Sequence, residues 1–139
     1  MKTQEIMTRK VHVAEPTLPI AKAAQKMREL NIGFLPICEN DKLIGTVTDR
    51  DITIQSVAQG RDPRLASVRE IMSQQVFYCF EDDDIEHAAE HMKEREVRRL
   101  VILSREKRLV GVISLGDIAR ASGEQQLAGE TLGQIAEAA

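Results

Sequence analysis

The chain has 139 residues, of which 42% are hydrophobic and only 3% aromatic, with no Trp and a formal charge of −3. That length allows one compact unit with a core of Val, Ile, Leu, Met and Ala, burying roughly 68–70% of its unfolded surface. The mild, interspersed charge excludes a general nucleic-acid binder, which needs a basic face, and a binder of anionic membranes, while no apolar run approaches the ~18 residues of a membrane span.

The N-terminal "MKTQEIMTRK" carries no apolar h-region, so no signal peptide is expected. A short strand is expected around Val11–Val13, then a helix whose apolar positions Ile20, Ala23, Ala24, Met27 and Leu30 follow the i, i+3, i+4, i+7 stripe. Thr17 is its candidate N-cap, with Pro19 in the first turn. The runs "GFLPIC" and "KLIGTV", joined by "ENDK", read as a hairpin. A second helix begins at Asp51, and residues 61–68, within "GRDPRLASV", read as a linker.

Beyond the linker the chain repeats itself. At an offset of 65, "EIM" at Glu5–Met7 meets "EIM" at Glu70–Met72, and Val11, Ile20, Ala23, Met27, Leu35 and Ile37 meet Val76, Ile85, Ala88, Met92, Leu100 and Ile102. One residue is gained near Arg108, in a turn, after which Gly45 and Asp51 meet Gly111 and Asp117 at an offset of 66. The second copy therefore predicts a strand at Val76–Tyr78, a helix capped by Asp82, Asp83 or Asp84, the hairpin "RRLVIL…RLVGVI" and a helix from Asp117. The fold class is α+β: two β-α-β-β-α repeats, 1–60 and 69–122, packed with pseudo-twofold symmetry because neither is long enough for a generous core. Residues 123–139 read as a frayed helical tail, with only Leu127, Leu132 and Ile135 to give it an apolar face.

"GTVTDRDI", Gly45 to Ile52, crowds a hydroxyl, two carboxylates and a guanidinium into a helix start. Thr48-x-x-Asp51 and Ser114-x-x-Asp117 both fit the capping-box pattern, so both motifs can be helix caps and nothing more. A helix start also presents unpaired N–H groups to an anion, and a carboxylate beside it suits the two hydroxyls of a ribose. Arg98 and Arg99 stand at an otherwise apolar strand start, where the first copy has Gly33 and Phe34. Unpartnered burial would be costly, so they reach solvent or face an anion.

These residues bring a family into view. The duplicated unit, with "EIM", "IGFLPIC…KLIGTVTDRDI" and "VRRLVIL…RLVGVISLGDI", resembles a tandem CBS domain pair, or Bateman module, over about residues 1–122; "TDRDI" is similar to stand-alone bacterial CBS-pair proteins of the hypoxic response protein type. The resemblance implies a regulatory module that binds an adenosine compound (AMP, ADP, ATP, NAD or S-adenosylmethionine) in the cleft between repeats and signals through homodimer geometry or a protein partner. It implies that Asp51 and Asp117 hold ribose hydroxyls, with Thr48 and Ser114 beside sugar or phosphate and Arg98 and Arg99 on phosphates. The base would lie against Val11 with Phe34, Leu35 and Pro36 in one site, and against Val76 with Arg99, Leu100 and Val101 in the other. The second copy has Leu100-Val101 for Leu35-Pro36 and Leu115-Gly116 for Asp49-Arg50, so the two sites are not expected to be equivalent. The alternative is a ligand-free interaction module whose two motifs only cap helices.

Nothing in the sequence reads as an active site. His87 and His91, four apart on one helix with Glu90 and Glu94 nearby, could hold a divalent metal. HxxxH without the inner Glu of HExxH lacks a protease's general base, and the pair is read as a solvated helix face, with no metal assigned. Cys38 and Cys79 are not a CxxC pair and are expected as reduced, mostly buried thiols of a cytoplasmic protein. No catalytic cofactor, membrane or nucleic acid is expected.

Overall fold

A computed structural model describes residues 1–121 and 123–138; Ser122, where the second repeat was expected to end, and Ala139, the last residue of the tail, lie outside the described residues. In chain order the elements are α1 Thr3–Ile6, α2 Ile20–Leu30, β1 Phe34–Glu39, β2 Lys42–Thr48, α3 Asp49–Asp51, β3 Tyr78–Phe80, α4 Ile85–Arg95, β4 Arg99–Leu103, β5 Leu109–Ser114, α5 Leu115–Arg120 and α6 Gln125–Ala138. The chain forms two compact units, one of His12–Val76 and one of Met1–Val11 with Phe77–Ala139.

In the His12–Val76 unit, Ile20, Ala23 and Met27 of α2 bury against Leu35, Ile37 and Val47 of the β1–β2 hairpin. The strands are antiparallel, with an irregularity between Ile37 and Cys38. Asn40 and Asp41 turn the hairpin at φ 52° and 62°, the left-handed pair a two-residue loop requires. The strand expected at Val11–Val13 is reduced to one bridge, Ala14 to Ile37. After α3 the helix continues as a π-helical stretch, Ile52–Val57.

Thr17 does not cap α2. Pro19 occupies the N-cap without a side-chain bond, and the free N–H groups of Ile20 and Ala21 donate instead to the carbonyls of Ala66 (3.0 Å) and Pro63 (2.8 Å). The expected linker is thus part of the fold: its Val68 is completely buried, and the helix start is satisfied by its backbone, as unpaired donors must be.

The other unit repeats this plan with a three-stranded sheet, β3-β4-β5, in which β3 runs parallel and β5 antiparallel to β4. The first strand lies at Tyr78–Phe80, two residues beyond the expected start, with Cys79 paired to Ile102 as Ala14 is to Ile37. The extra residue, Arg108, falls in the β4–β5 turn, where the N–H of Ser104 donates to its carbonyl at 2.8 Å. Asp84 sits at the N-cap of α4 without a side-chain cap; its carboxylate pairs instead with Lys2 at 3.0 Å. Ile85 N–H donates to the carbonyl of Met1 at 3.0 Å, the counterpart of the Ile20–Ala66 bond.

The opening segment of each sequence repeat therefore docks on the hairpin and helix of the other repeat. Thr8 and Val112 exchange two backbone hydrogen bonds, at 2.9 and 3.0 Å, and so do Ser73 and Thr46, at 2.9 and 3.0 Å. The "EIM" methionines are the anchors. A Cβ on Gly111 would stand 2.5 Å from Met7 Sδ, and one on Gly45 would stand 2.8 Å from Met72 Sδ. The glycines are there to let these side chains cross the strand.

Residues 125–138 form a helix that is more than a frayed tail. Ala128 and Ile135 join the core made by Ile85, Ala88, Met92, Leu100 and Ile118, and Thr131 is fully buried, its hydroxyl donating to the carbonyl of Leu127 at 2.7 Å. Leu132, by contrast, is 44% exposed. No described helix is long and apolar enough to cross a membrane. Cys38 and Cys79 are both free thiols; burial, then the charge of Asp41, raises Cys38, and burial, then the charge of Asp83, pushes Cys79 up to about 12.

Candidate ligand site

Both polar motifs fold as capping boxes. The N–H of Asp51 donates to Thr48 Oγ1 at 3.0 Å while Thr48 N–H donates to Asp51 Oδ2 at 2.9 Å. Ser114 and Asp117 repeat the arrangement at 3.0 and 2.8 Å. Each box satisfies two backbone donors reciprocally, so the helices start at Asp49 and Leu115, two residues before the expected Asp51 and Asp117. Capping engages Oδ2 of each carboxylate. Asp117 Oδ1 takes a second bond, from Arg120 Nη2 at 2.7 Å. Sequence reasoning missed Arg120, although Asp-x-x-Arg on a helix is an i, i+3 pair. Ile54 holds the matching position in the first copy, so this arginine belongs to one unit alone.

The hairpin register brings strand starts to these caps. Phe34 lies opposite Thr48, and Arg99 opposite Ser114. Asp49 N–H donates to the carbonyl of Gly33 at 3.0 Å and Leu115 N–H to that of Arg98 at 2.8 Å. Within its own unit, then, each cap stands beside its strand start. Arg98 and Arg99 are exposed, Phe34, Val11 and Val76 half-buried, and Pro36 buried. Leu35 and Leu100 lie in the two cores, and Val101 is 1% exposed.

The strand starts carry opposite charge. A Cβ on Gly33 would meet Asp49 Oδ2 at 2.7 Å, so a carboxylate covers that backbone. The matching positions in the other unit are Arg98 and Leu115, which put guanidinium where the first has carboxylate. A cavity of about 560 Å³ opens in this basic unit, bounded by Arg98, Arg99, Ser114 and Gly116 on one side and by Gln125 and Gly129 of α6 on another. Its size lies within the range of small-ligand pockets, roughly 300–1,000 Å³.

A family model, "CBS domain", matches residues 4–56 and 68–124, one copy for each sequence repeat. This chain belongs to the CBS-domain family. Among relatives of this CBS pair, Hypoxic response protein 1 of Mycobacterium tuberculosis is 43% identical over 102 residues, covering 73% of this chain and 71% of the relative. A crystal structure of Hypoxic Response Protein I, described with two coordinated zinc ions, superposes with a TM-score of 0.77 at 38% identity, over 86% of this chain and 98% of that one. The CBS domain pair of protein MJ0100, solved in complex with 5′-methylthioadenosine and S-adenosyl-L-methionine, gives a TM-score of 0.77 at 27% identity, over 86% of this chain and 94% of that one. The α+β CBS-pair fold is thereby established for the chain, and the stand-alone pair is the type it is most like among these relatives.

Proposed function

We propose that this CBS pair is a regulatory module, without catalysis of its own, that binds an adenosine-containing nucleotide and passes the binding event to a second copy of itself or to a partner protein. The observation that carries the reading is the cavity beside Arg98, Arg99 and Ser114, in a chain that shares its fold with the CBS domain pair of MJ0100, solved in complex with methylthioadenosine and S-adenosylmethionine. Asp51 and Asp117 hold ribose hydroxyls, with Thr48 and Ser114 close to sugar or phosphate. Arg98 and Arg99 contact phosphate, which the carboxylate-covered strand start at Gly33 would repel. Val11, Val76 and the strands Phe34–Pro36 and Arg99–Val101 supply apolar surface for the base. The pair assembles as a homodimer, for which Val57 (69% exposed) and Leu65 (84% exposed) offer apolar side chains a second copy would cover. A ligand shifts such a module only by its differential affinity for two arrangements.

A second reading is favoured by the complete capping boxes: both aspartates already have a structural task, and a ligand-free interaction module would need no other. Thermal unfolding with AMP, ADP, ATP, NAD, S-adenosylmethionine and methylthioadenosine separates the two. A ligand at a hundred times its dissociation constant adds about 2.7 kcal/mol. On the nucleotide reading one of them raises the midpoint, Asp117→Ala or Asp51→Ala removes the rise, and Arg98→Ala weakens phosphate-bearing ligands but not phosphate-free methylthioadenosine. If none raises the midpoint, the motifs are caps alone.

A further inference from the structure

The two histidines left on a solvated helix face have neighbours that the sequence alone did not reveal. Cys79 on β3, Asp83 in the turn that follows, and His87 in the first turn of α4 place one donor atom each within 4.8 Å of one another, the one such group of three among the described residues. A fourth donor stands beside them: His91 Nδ1 is 3.5 Å from Cys79 Sγ. The rings of His87 and His91 lie 6.1 Å apart, one helical turn along the same face. We propose that Cys79, Asp83, His87 and His91 form a zinc site that clips β3 to the start of α4.

The donor set is that of Zn²⁺: thiolate sulfur, imidazole nitrogen and carboxylate oxygen, at roughly 2.3, 2.0–2.1 and 2.0–2.2 Å in tetrahedral sites. Those bond lengths put neighbouring ligand atoms about 3.5 Å apart, the separation already present between Cys79 and His91. The donors of Cys79, Asp83 and His87 already lie within 4.8 Å of one another, while His91 is close only to Cys79, so the set closes by rotation of both histidines; the His87 side chain is 64% exposed and stands 3.9 Å from Asp83 Oδ2. Cys79 is 2% exposed and does not need to move. Asp83 is held in place: its Oδ2 accepts the Phe80 N–H at 2.8 Å, leaving a second lone pair on that oxygen, and its Oδ1 faces Arg105 Nη2 at 3.7 Å. Binding would replace the thiol proton of Cys79 by the metal and release that proton to water.

The internal repeat supplies a control within the chain. At the positions that match Cys79, Asp83, His87 and His91 the first copy has Ala14, Leu18, Lys22 and Lys26. The same backbone thus folds with no metal ligand at any of the four, so the fold does not require the cluster. Glu90 and Glu94, the carboxylates that the sequence sets beside the histidine pair, are not in it; Glu90 pairs with Lys93 at 3.7 Å. Cys-x₃-Asp-x₃-His-x₃-His is the spacing that strand, turn and helix gather into one cluster of donors.

Cobalt substitution tests this. Metal-free, reduced full-length protein is titrated with Co²⁺ under argon and then with Zn²⁺. The site predicts one Co²⁺ per chain, a near-ultraviolet thiolate-to-cobalt charge-transfer band, intense visible bands of tetrahedral cobalt, and loss of all of them on adding Zn²⁺. Cys79→Ser removes the charge-transfer band and Cys38→Ser keeps it. His87→Ala, a change at an exposed position that does not threaten folding, abolishes the stoichiometric transition. Absence of the charge-transfer band in the parent, its persistence in Cys79→Ser, or a His87→Ala titration that matches the parent overturns the proposal. If Cys79→Ser does not fold, His87→Ala decides.

Discussion

Gly111→Ala tests the crossing of the "EIM" segment over the hairpin. The added Cβ would stand 2.5 Å from Met7 Sδ, 3.0 Å from Met7 Cγ and 3.0 Å from the Thr8 carbonyl, against roughly 3.5–4.0 Å for comfortable carbon contacts. Met7 can rotate, but at 8% exposure it has little empty space to enter. The Thr8 carbonyl is fixed by its bond from Val112 N–H at 3.0 Å. Overpacking of this kind costs about 1–3 kcal/mol. Met7→Ala alone should cost about 2–5 kcal/mol through the cavity it leaves. Because Met7 is the principal obstacle, the double variant should be less destabilised than the sum of the two, by about 0.5–3 kcal/mol. Urea unfolding followed by circular dichroism reads all four proteins, with the midpoint as the measure and an unchanged slope as the check. A Gly111→Ala midpoint within about 0.5 kcal/mol of the parent, or strict additivity in the cycle, would refute the account of why glycine is there.

Three further outcomes follow from local chemistry. Glu96 ends α4 in the left-handed region at φ 58°, which costs a residue with a Cβ about 1–2 kcal/mol; Glu96→Gly should recover part of that, and a lower thermal midpoint would count against it. The thiols should differ: at pH 8 a disulfide reagent should modify Cys38 well before Cys79, whose thiol is raised to about 12 by burial first and by Asp83 second, and equal rates in the folded protein would contradict the burial. Hydrogen bonding from Lys2, then its charge, lowers the Asp84 carboxyl below its ordinary value. A lowered carboxyl contributes stability that is present above its unfolded pKa, about 3.9, and lost as pH falls through the folded value. A carbon-detected titration should therefore show Asp84 titrating below an ordinary aspartate in the parent and returning upward in Lys2→Ala.

Much of this protein was legible in its sequence because duplication prints each local decision twice. The stripe Ile20, Ala23, Met27 and its copy Ile85, Ala88, Met92 fix the first helix of each repeat, since a period of 3.6 residues can bury those side chains together in no other conformation. Thr48-x-x-Asp51 and Ser114-x-x-Asp117 mark the caps of the next helix, for their hydrogen bonds span three residues and need no distant partner, although the helix itself starts at Asp49 and Leu115, two residues before the expected aspartates. Asn40-Asp41 and the extra Arg108 could be read as turns for the same reason. The tail was misjudged because a helix's worth depends on what it packs against: Ala128 and Thr131 look indifferent in sequence and are buried only because α4 and α5 are there. Thr17 lost the N-cap to Pro19 because carbonyls more than 40 positions away, at Pro63 and Ala66, already satisfy the helix start. The exchange of the "EIM" segments and the meeting of Cys79 and Asp83 with two histidines were likewise decided by tertiary structure. Sequence states which residues are apolar, capped or charged; which of them meet is set by strand pairing and helix docking, and those follow from burying the whole surface at once.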